Sequence, residues 1–262
     1  MVEPTARIRA FELSDLKAVR FYAGKAQMEG LTAANVNLYK NPFIIALWLG
    51  FSSAFIQYMK WWPTGQHGLM EYLKPLPAFF SMAVPILYFV DWYNRPKFDQ
   101  NLQNTLRRPD LVDVAAYYAR SPASGLWFLE LGNRFIGLIA IDASLDSTSD
   151  DVVVSSESKS KSDKLSNKEG TSEVATIRHF HVEELYRAAA AEDDLLEYAL
   201  KHVFSSNSKV QVVRALESPL TPYIGKALRK EGFKPTKTVD TIGIFNWEVR
   251  MHELRREHWR GA

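Results

Sequence analysis

Two apolar stretches, Phe43 to Met59 and Pro75 to Tyr93, constrain this chain more than any other feature. The first carries no formal charge before Lys60, and the second none until Asp91. A helix that crosses a bilayer needs about 20 apolar residues, and both stretches fall slightly short of that. Trp61 and Trp62 follow the first, and Trp92 and Tyr93 close the second. Amphipathic rings favour the headgroup level, so these residues fit interfacial anchors. The alternative is a pair of buried core helices, but such helices normally show a polar stripe. Pro85 predicts a kink in the second helix.

The linker from Lys60 to Lys74 holds Trp61, Trp62, Pro63, Gly65 and Gly68, which suits a short turn. Both ends of the hairpin then return to one side. The outer flanks carry Lys40, Arg95, Lys97, Arg107 and Arg108, while the linker carries Lys60 and Lys74, partly balanced by Glu71. Positive flanks stay cytosolic more often, so the bias predicts a cytosolic main domain on an integral membrane protein.

The rest of the chain reads as one α/β domain. Net charge is +2 with no long basic run, which argues against a nucleic-acid partner. The sequence has no cysteine, so disulfides, thiolate metal sites and a cysteine nucleophile are excluded. Met1 to Arg9 is polar and lacks the apolar core of a signal peptide.

Ala6 to Glu12 alternates and has β character, and Ser14-Asp15-Leu16 starts a helix expected to run to about Leu31. Pro109 to Arg120 predicts a short helix with Leu111, Val114, Ala115 and Tyr118 on one face. Leu126 to Leu131 and Arg134 to Asp142 read as strands joined by Gly132-Asn133, a strong hairpin signal. Leu145 to Glu173 is rich in Ser, Lys, Asp and Glu and predicts a disordered polar loop. Val174 to Val182 is the next expected strand. Glu192 to Phe204 is a helix that buries Leu195, Leu196, Ala199, Leu200 and Val203. A strand from Val210 to Leu216 and a helix from Pro222 to Glu231, ended by Gly232, come next. Two strands, Lys234 to Val239 and Thr241 to Met251, complete the chain.

Ile177, Phe180 and Val182 are the expected core residues of the strand before the polar helix start. Strict alternation cannot put Ile177 and Phe180 on one face. One extra residue near Arg178-His179, a β-bulge, reconciles them. His179 and His181 then share a face and are general-base candidates. Two histidines so placed could also ligate a metal, but no third ligand is evident and no metal site is assigned.

The segment from Ile177 to Phe204, with His179, Phe180, His181, Val182, Arg187 and the Ala-rich start of its helix, resembles the acetyl-CoA-binding motif of the GNAT superfamily of N-acetyltransferases. Ser218 to Phe233 is similar to that family's closing helix, with its Gly-Phe end. Arg7-Ile8-Arg9-Ala10-Phe11 with Ser14-Asp15-Leu16 resembles its first strand and helix. A helical hairpin inserted after the first helix resembles the branch anchored in the endoplasmic reticulum.

The resemblance implies a GNAT-like mixed central sheet flanked by helices, with an inserted two-helix transmembrane hairpin. The implied organisation is residues 1–40 for the first strand and helix, 41–94 for the hairpin and 95–144 for the central strands. Residues 145–173 form the polar loop and 174–262 the acyl-CoA-binding half. It also implies that the bulge splays two strands, that backbone groups of Phe180, His181 and Val182 face the pantetheine arm, and that Arg187 with the N–H groups of Ala188, Ala189, Ala190, Ala191 and Glu192 holds the pyrophosphate.

The sequence departs from the family at three places. The two glycine positions of the phosphate loop are Ala190 and Glu192. Alanine is a mild change unless the backbone needs positive φ. Glu192 brings a negative charge; two unit charges about 5 Å apart at an effective dielectric of about 20 repel by about 3 kcal/mol. The tyrosine that protonates the leaving thiolate is replaced by Leu228, with Tyr223 a turn or more away as a substitute. Two functions stay open. One is an acetyl-CoA-dependent N-acetyltransferase acting on an amine of an amphipathic small molecule or membrane protein. The other is a catalytically inactive scaffold or chaperone for another membrane protein.

Overall fold

The computed structural model describes residues 5–64, 68–149, 169–259 and 261. Gly65 of the expected turn, Met1 to Pro4 and most of the expected polar loop lie outside them. The chain divides into two compact units, Gly30–Phe98 and the remainder, Met1–Glu29 with Asp99–Ala262.

The larger unit is a mixed α/β fold with a sheet flanked by helices, as expected. Among the described residues the sheet has seven strands in the order β1-β2-β3-β4-β5-β7-β6. These are β1 (Ala6–Ala10), β2 (Gly125–Leu131), β3 (Arg134–Ser144), β4 (Thr171–Val182), β5 (Val212–Glu217), β6 (Lys234–Ile242) and β7 (Trp247–Arg255). Neighbours are antiparallel except for the parallel pair β4 and β5.

Both faces of β2 and β3 are covered, so these strands read as nearly continuous apolar runs rather than alternating ones. Leu126, Phe128, Leu138 and Ala140 face one way and pack with Val19 and Ala23 of α1 (Leu16–Tyr39) and with Leu111, Val114, Tyr117 and Tyr118. Trp127, Leu129, Ile139 and Ile141 face the other way, in one core with Leu195, Leu196, Ala199, Leu200 and Val203, the residues expected from the helical spacing.

In the smaller unit, the first apolar stretch is α2 (Pro42–Met59). Asn41 caps its start by accepting the Phe43 N–H at 2.9 Å, with Pro42 at the first helical position. The second stretch lies in α3 (Leu76–Leu106). Both helices are long and apolar enough to cross a membrane, and 11% and 17% of their apolar windows are buried, which does not suit buried core helices.

Several boundaries differ from expectation. α1 continues past Leu31 because its polar residues find tertiary partners: Asn35 donates to Asp91 Oδ1 and accepts from Asn94, both at 2.9 Å. α3 runs through both Pro85 and Pro96 to Leu106 rather than ending near Tyr93. A proline removes one N–H donor and its ring crowds the carbonyl four residues back, so at Pro85 and Pro96 the helix continues against the local preference.

Pro109 to Arg120 is two short helices, α4 (Pro109–Val112) and α5 (Val114–Tyr118). Asp113 breaks them apart at φ −134° and caps the second through Ala116 N–H. Ala115 is exposed, and Tyr117 takes its place in the core. β4 begins at Thr171, so the end of the expected polar loop is strand. The final hairpin turns at residues 243–246, not at Asp240, because Gly243 and Asn246 supply the positive φ values of 75° and 50°.

Candidate active site around the bulged strand

The conflict of parity between Ile177 and Phe180 is resolved by a bulge. Ala140 pairs with His179 and the next residue, Ile141, with Ile177, which leaves Arg178 as the extra residue. Ile177, Phe180 and Val182 therefore all reach one core, and His179 and His181 take the opposite face, beside Ala140 and Leu138. Arg178 turns to the buried Asp142, at 3.2 Å.

Past the bulge, β4 loses its parallel partner. The ladder with β5 covers Val174 to Thr176 alone, while β5 continues to Glu217 against β7. One edge of β4 from His179 to Val182 stays on β3, and the other has no strand beside it among the described residues. Glu183 N–H donates to Ile136 O on β3, so by alternation the backbone of Val182 points away from β3. Its carbonyl accepts Arg187 Nε at 2.8 Å.

The two histidines have different settings. His179 is buried and its Nε2 lies 2.7 Å from Oδ2 of Asp110, a buried carboxylate at the start of α4. Burial pushes the Asp110 carboxyl up, but its interaction with His179 and the charge of Arg178 outweigh that and hold it below the usual carboxylate range. His181 is 1% exposed, and neither ring nitrogen has a hydrogen-bond partner among the described residues. Burial, with Arg187 acting in the same sense, lowers it to about 4, so it is neutral near pH 7. Its ring lies 5.7 Å from that of Tyr22, and its Nδ1 is 3.8 Å from Glu29.

After β4 the chain makes a short helix, α6 (Glu184–Arg187), and then α7 (Ala191–Ser206). Between them Ala190 has φ +55° and ψ +33°, so the loop does need a left-handed residue where alanine stands. That conformation costs an L-residue about 1–2 kcal/mol. Ala188 and Ala189 form the approach, and Ala191, buried, opens α7. Glu192 is 4% exposed, and its Oε2 has no partner among the described residues. Burial raises this carboxyl, its own backbone N–H works against that, and Asp193 adds to the rise.

Arg187 does not point into open space. Besides Val182 O, it donates through Nη2 to Glu29 Oε2 at 2.6 Å, and its guanidinium lies 3.8 Å from the centre of the Tyr223 ring. Tyr223 sits at the start of α8 (Pro222–Lys230); burial pushes its hydroxyl up to about 12, so it stays protonated. Leu228 is fully buried.

The structure thus links His181, Arg187 and Tyr223 through Glu29, and sets His179 two residues from His181 on the same face of β4 with Asp110; Glu29 and Asp110 are two carboxylates that sequence reading missed. The signals were slight: Asp110 follows the proline that opens a helix, and Glu29 lies four residues after Lys25 on α1.

No protein-family model and no curated protein matches this chain. Solved structures similar to it include a GNAT-family acetyltransferase from Streptococcus pneumoniae, 9% identical over 96% of this chain and 99% of that one, with a TM-score of 0.47. A GNAT-family acetyltransferase from Staphylococcus aureus Mu50 gives 9% identity, the same coverage and a TM-score of 0.45. A spermidine N-acetyltransferase from Vibrio cholerae, in complex with CoA and spermine, gives 9% identity over 97% and 96%, with a TM-score of 0.44. At this identity and TM-score the likeness decides neither family nor activity.

Proposed function

We propose that the protein is a GNAT-type N-acetyltransferase that takes acetyl-CoA as donor and an amine of an amphipathic or membrane-associated acceptor. The observation that carries this reading is the edge of β4 beyond Thr176, which has no strand beside it among the described residues, with the Arg178 bulge and the left-handed Ala190 near it in the chain. An alanine held at positive φ persists where its surroundings over-determine it, and such strain gathers at functional sites. The backbone of Phe180 suits an extended pantetheine arm, while Val182 keeps its contacts with Arg187 Nε and with Tyr223, and Arg187 with the N–H groups of Ala188 to Glu192 would hold the phosphates. The donor supplies a thioester carbonyl as electrophile and a thiolate as leaving group.

The chain's own residues then have defined tasks. His179, with Asp110 fixing its ring, takes a proton from the acceptor nitrogen as the C–N bond forms and the C–S bond breaks. Neutral His181 is a weaker base because burial depresses it. Tyr223 or water returns a proton to the sulfur. In this reading α2 and α3 form a transmembrane hairpin, in the endoplasmic reticulum with the larger unit on the cytosolic side, as the flanking charges suggest.

The second reading, an inactive scaffold or chaperone for another membrane protein, is favoured by the buried charge of Glu192 and by Leu228 at the family's tyrosine position. Titration of detergent-solubilised protein with acetyl-CoA separates the two. Saturable binding below millimolar concentration supports the transferase, and no binding at millimolar acetyl-CoA overturns it.

A further inference from the structure

Arg187 is the one side-chain cation that the donor reading assigns to the phosphates, and in this structure its charge is already used. Its Nη2 donates to Glu29 Oε2 at 2.6 Å, its Nε donates to Val182 O at 2.8 Å, and its plane lies against Tyr223 at 3.8 Å. Charge-assisted hydrogen bonds of this kind are about twice as strong as neutral ones. A phosphate dianion cannot add to Arg187 without either competing with the Glu29 carboxylate or lying beside it, where like charges repel.

Glu29 in turn faces more than Arg187. It lies on α1, the helix that packs over the histidine face of β4, and His181 Nδ1 stands 3.8 Å from it with no hydrogen-bond partner among the described residues. His181 is almost wholly buried, and its ring nitrogens need a polar partner that the described residues do not supply. Glu29 is about a quarter exposed, so it can be reached from solvent.

We propose that Glu29 exchanges Arg187 for the ammonium group of the acceptor, so that acceptor binding releases Arg187 to the phosphates of the donor. This rests on the transferase reading above and adds to it a coupling between the two substrates. Paired as they are here, Glu29 and Arg187 neutralise each other. An alkylammonium that enters between Glu29 and His181 takes over the carboxylate's charge and offers a donor to the unpartnered imidazole. Arg187 then keeps its bond to Val182 O and its contact with Tyr223, but lacks a counter-ion, and a dianion meets that need. By linkage the effect is reciprocal: whatever factor the amine adds to donor affinity, the donor adds to amine affinity.

The test uses the full chain in detergent and CoA, which binds the donor site but carries no acyl group to transfer. CoA is titrated with and without octylamine, with octanol as the uncharged control. The wild type is expected to bind CoA about five- to a hundredfold more tightly when octylamine is present. Octanol should have no such effect. Glu29→Gln, which keeps the shape and removes the charge, should bind CoA about tenfold more tightly than the wild type and be indifferent to octylamine. Glu29→Asp should stay within about twofold of the wild type.

If Glu29→Gln and the wild type bind CoA equally and octylamine changes neither, the exchange is overturned while the acyl-CoA reading stands. If neither binds CoA at millimolar concentration, both are overturned. If Glu29→Gln does not fold, as judged by its thermal transition, the octylamine comparison on the wild type decides alone.

Discussion

Oδ2 of Asp110 stands 2.7 Å from Nε2 of His179, across 69 residues of chain and with both side chains buried. A carboxylate so placed fixes the ring and its tautomer, the task of the third member in a nucleophile–base–orienter arrangement. Asp110→Asn is expected to lower the rate of acetyl transfer at least tenfold with acetyl-CoA affinity unchanged. Loss of affinity together with rate would make the pair structural instead.

The same pair carries a pH dependence. The Asp110 carboxyl is held below its ordinary value, so its contribution to stability is present above about pH 4 and is lost as pH falls through the lowered folded value. Asp110→Asn should be less stable than the wild type by about 1–3 kcal/mol at pH 7, and the gap should narrow below about pH 4. Thermal unfolding in detergent across that range reads both.

Glu192 has the opposite sign. Its carboxyl is raised by burial, so its charge destabilises the fold above the folded value, and the penalty disappears as pH falls below the ordinary carboxylate value. Glu192→Gln should raise the melting temperature at pH 7.5, with the advantage shrinking toward about pH 4. If the proposed donor site holds, Glu192→Gly should tighten acetyl-CoA binding by removing the charge that the proposal sets beside the phosphates. Equal affinities would mean that the side chain does not face them.

Ala190 stands at φ +55°. Glycine removes the left-handed penalty but costs more entropy in the unfolded chain. Ala190→Gly is therefore expected to stabilise by about 0.5–1 kcal/mol, and Ala190→Val to destabilise. A destabilised glycine variant would contradict the strain assigned to this loop.

Gly225 of α8 leaves room for Glu217. A Cβ there would overlap the Glu217 carboxylate, whose Oε1 also accepts Arg229 at 2.6 Å. Gly225→Ala should cost about 1–3 kcal/mol even though alanine is the better helix former. A melting temperature equal to or above that of the parent would show that Glu217 moves aside freely.

For the apolar pair of helices, carbonate extraction of membranes is the measurement. Retention of the full chain in the pellet is expected, and release by carbonate alone would remove the transmembrane hairpin.

Local pattern determined a good deal by itself. The uncharged runs set α2 and the core of α3, and the 3.6-residue spacing set the buried face of α7, since burial of one stripe is a property of the helix's own sequence. Gly132-Asn133 set the β2–β3 hairpin, and the parity conflict of Ile177 and Phe180 required the bulge. Tertiary structure decided what lies opposite what. Glu29 meets Arg187 across 158 residues, and Asp110 meets His179 across 69, because the sheet order carries α1 and α4 over the same face of β4. No short-range preference records such a pairing, since each partner alone reads as an ordinary polar residue. Ala190's positive φ is of the same kind: alanine favours the helix, and the turn from α6 into α7 overrides it. Tertiary packing likewise separated the two histidines, giving His179 a partner and leaving His181 neutral with none among the described residues, although two residues apart on one strand they look alike.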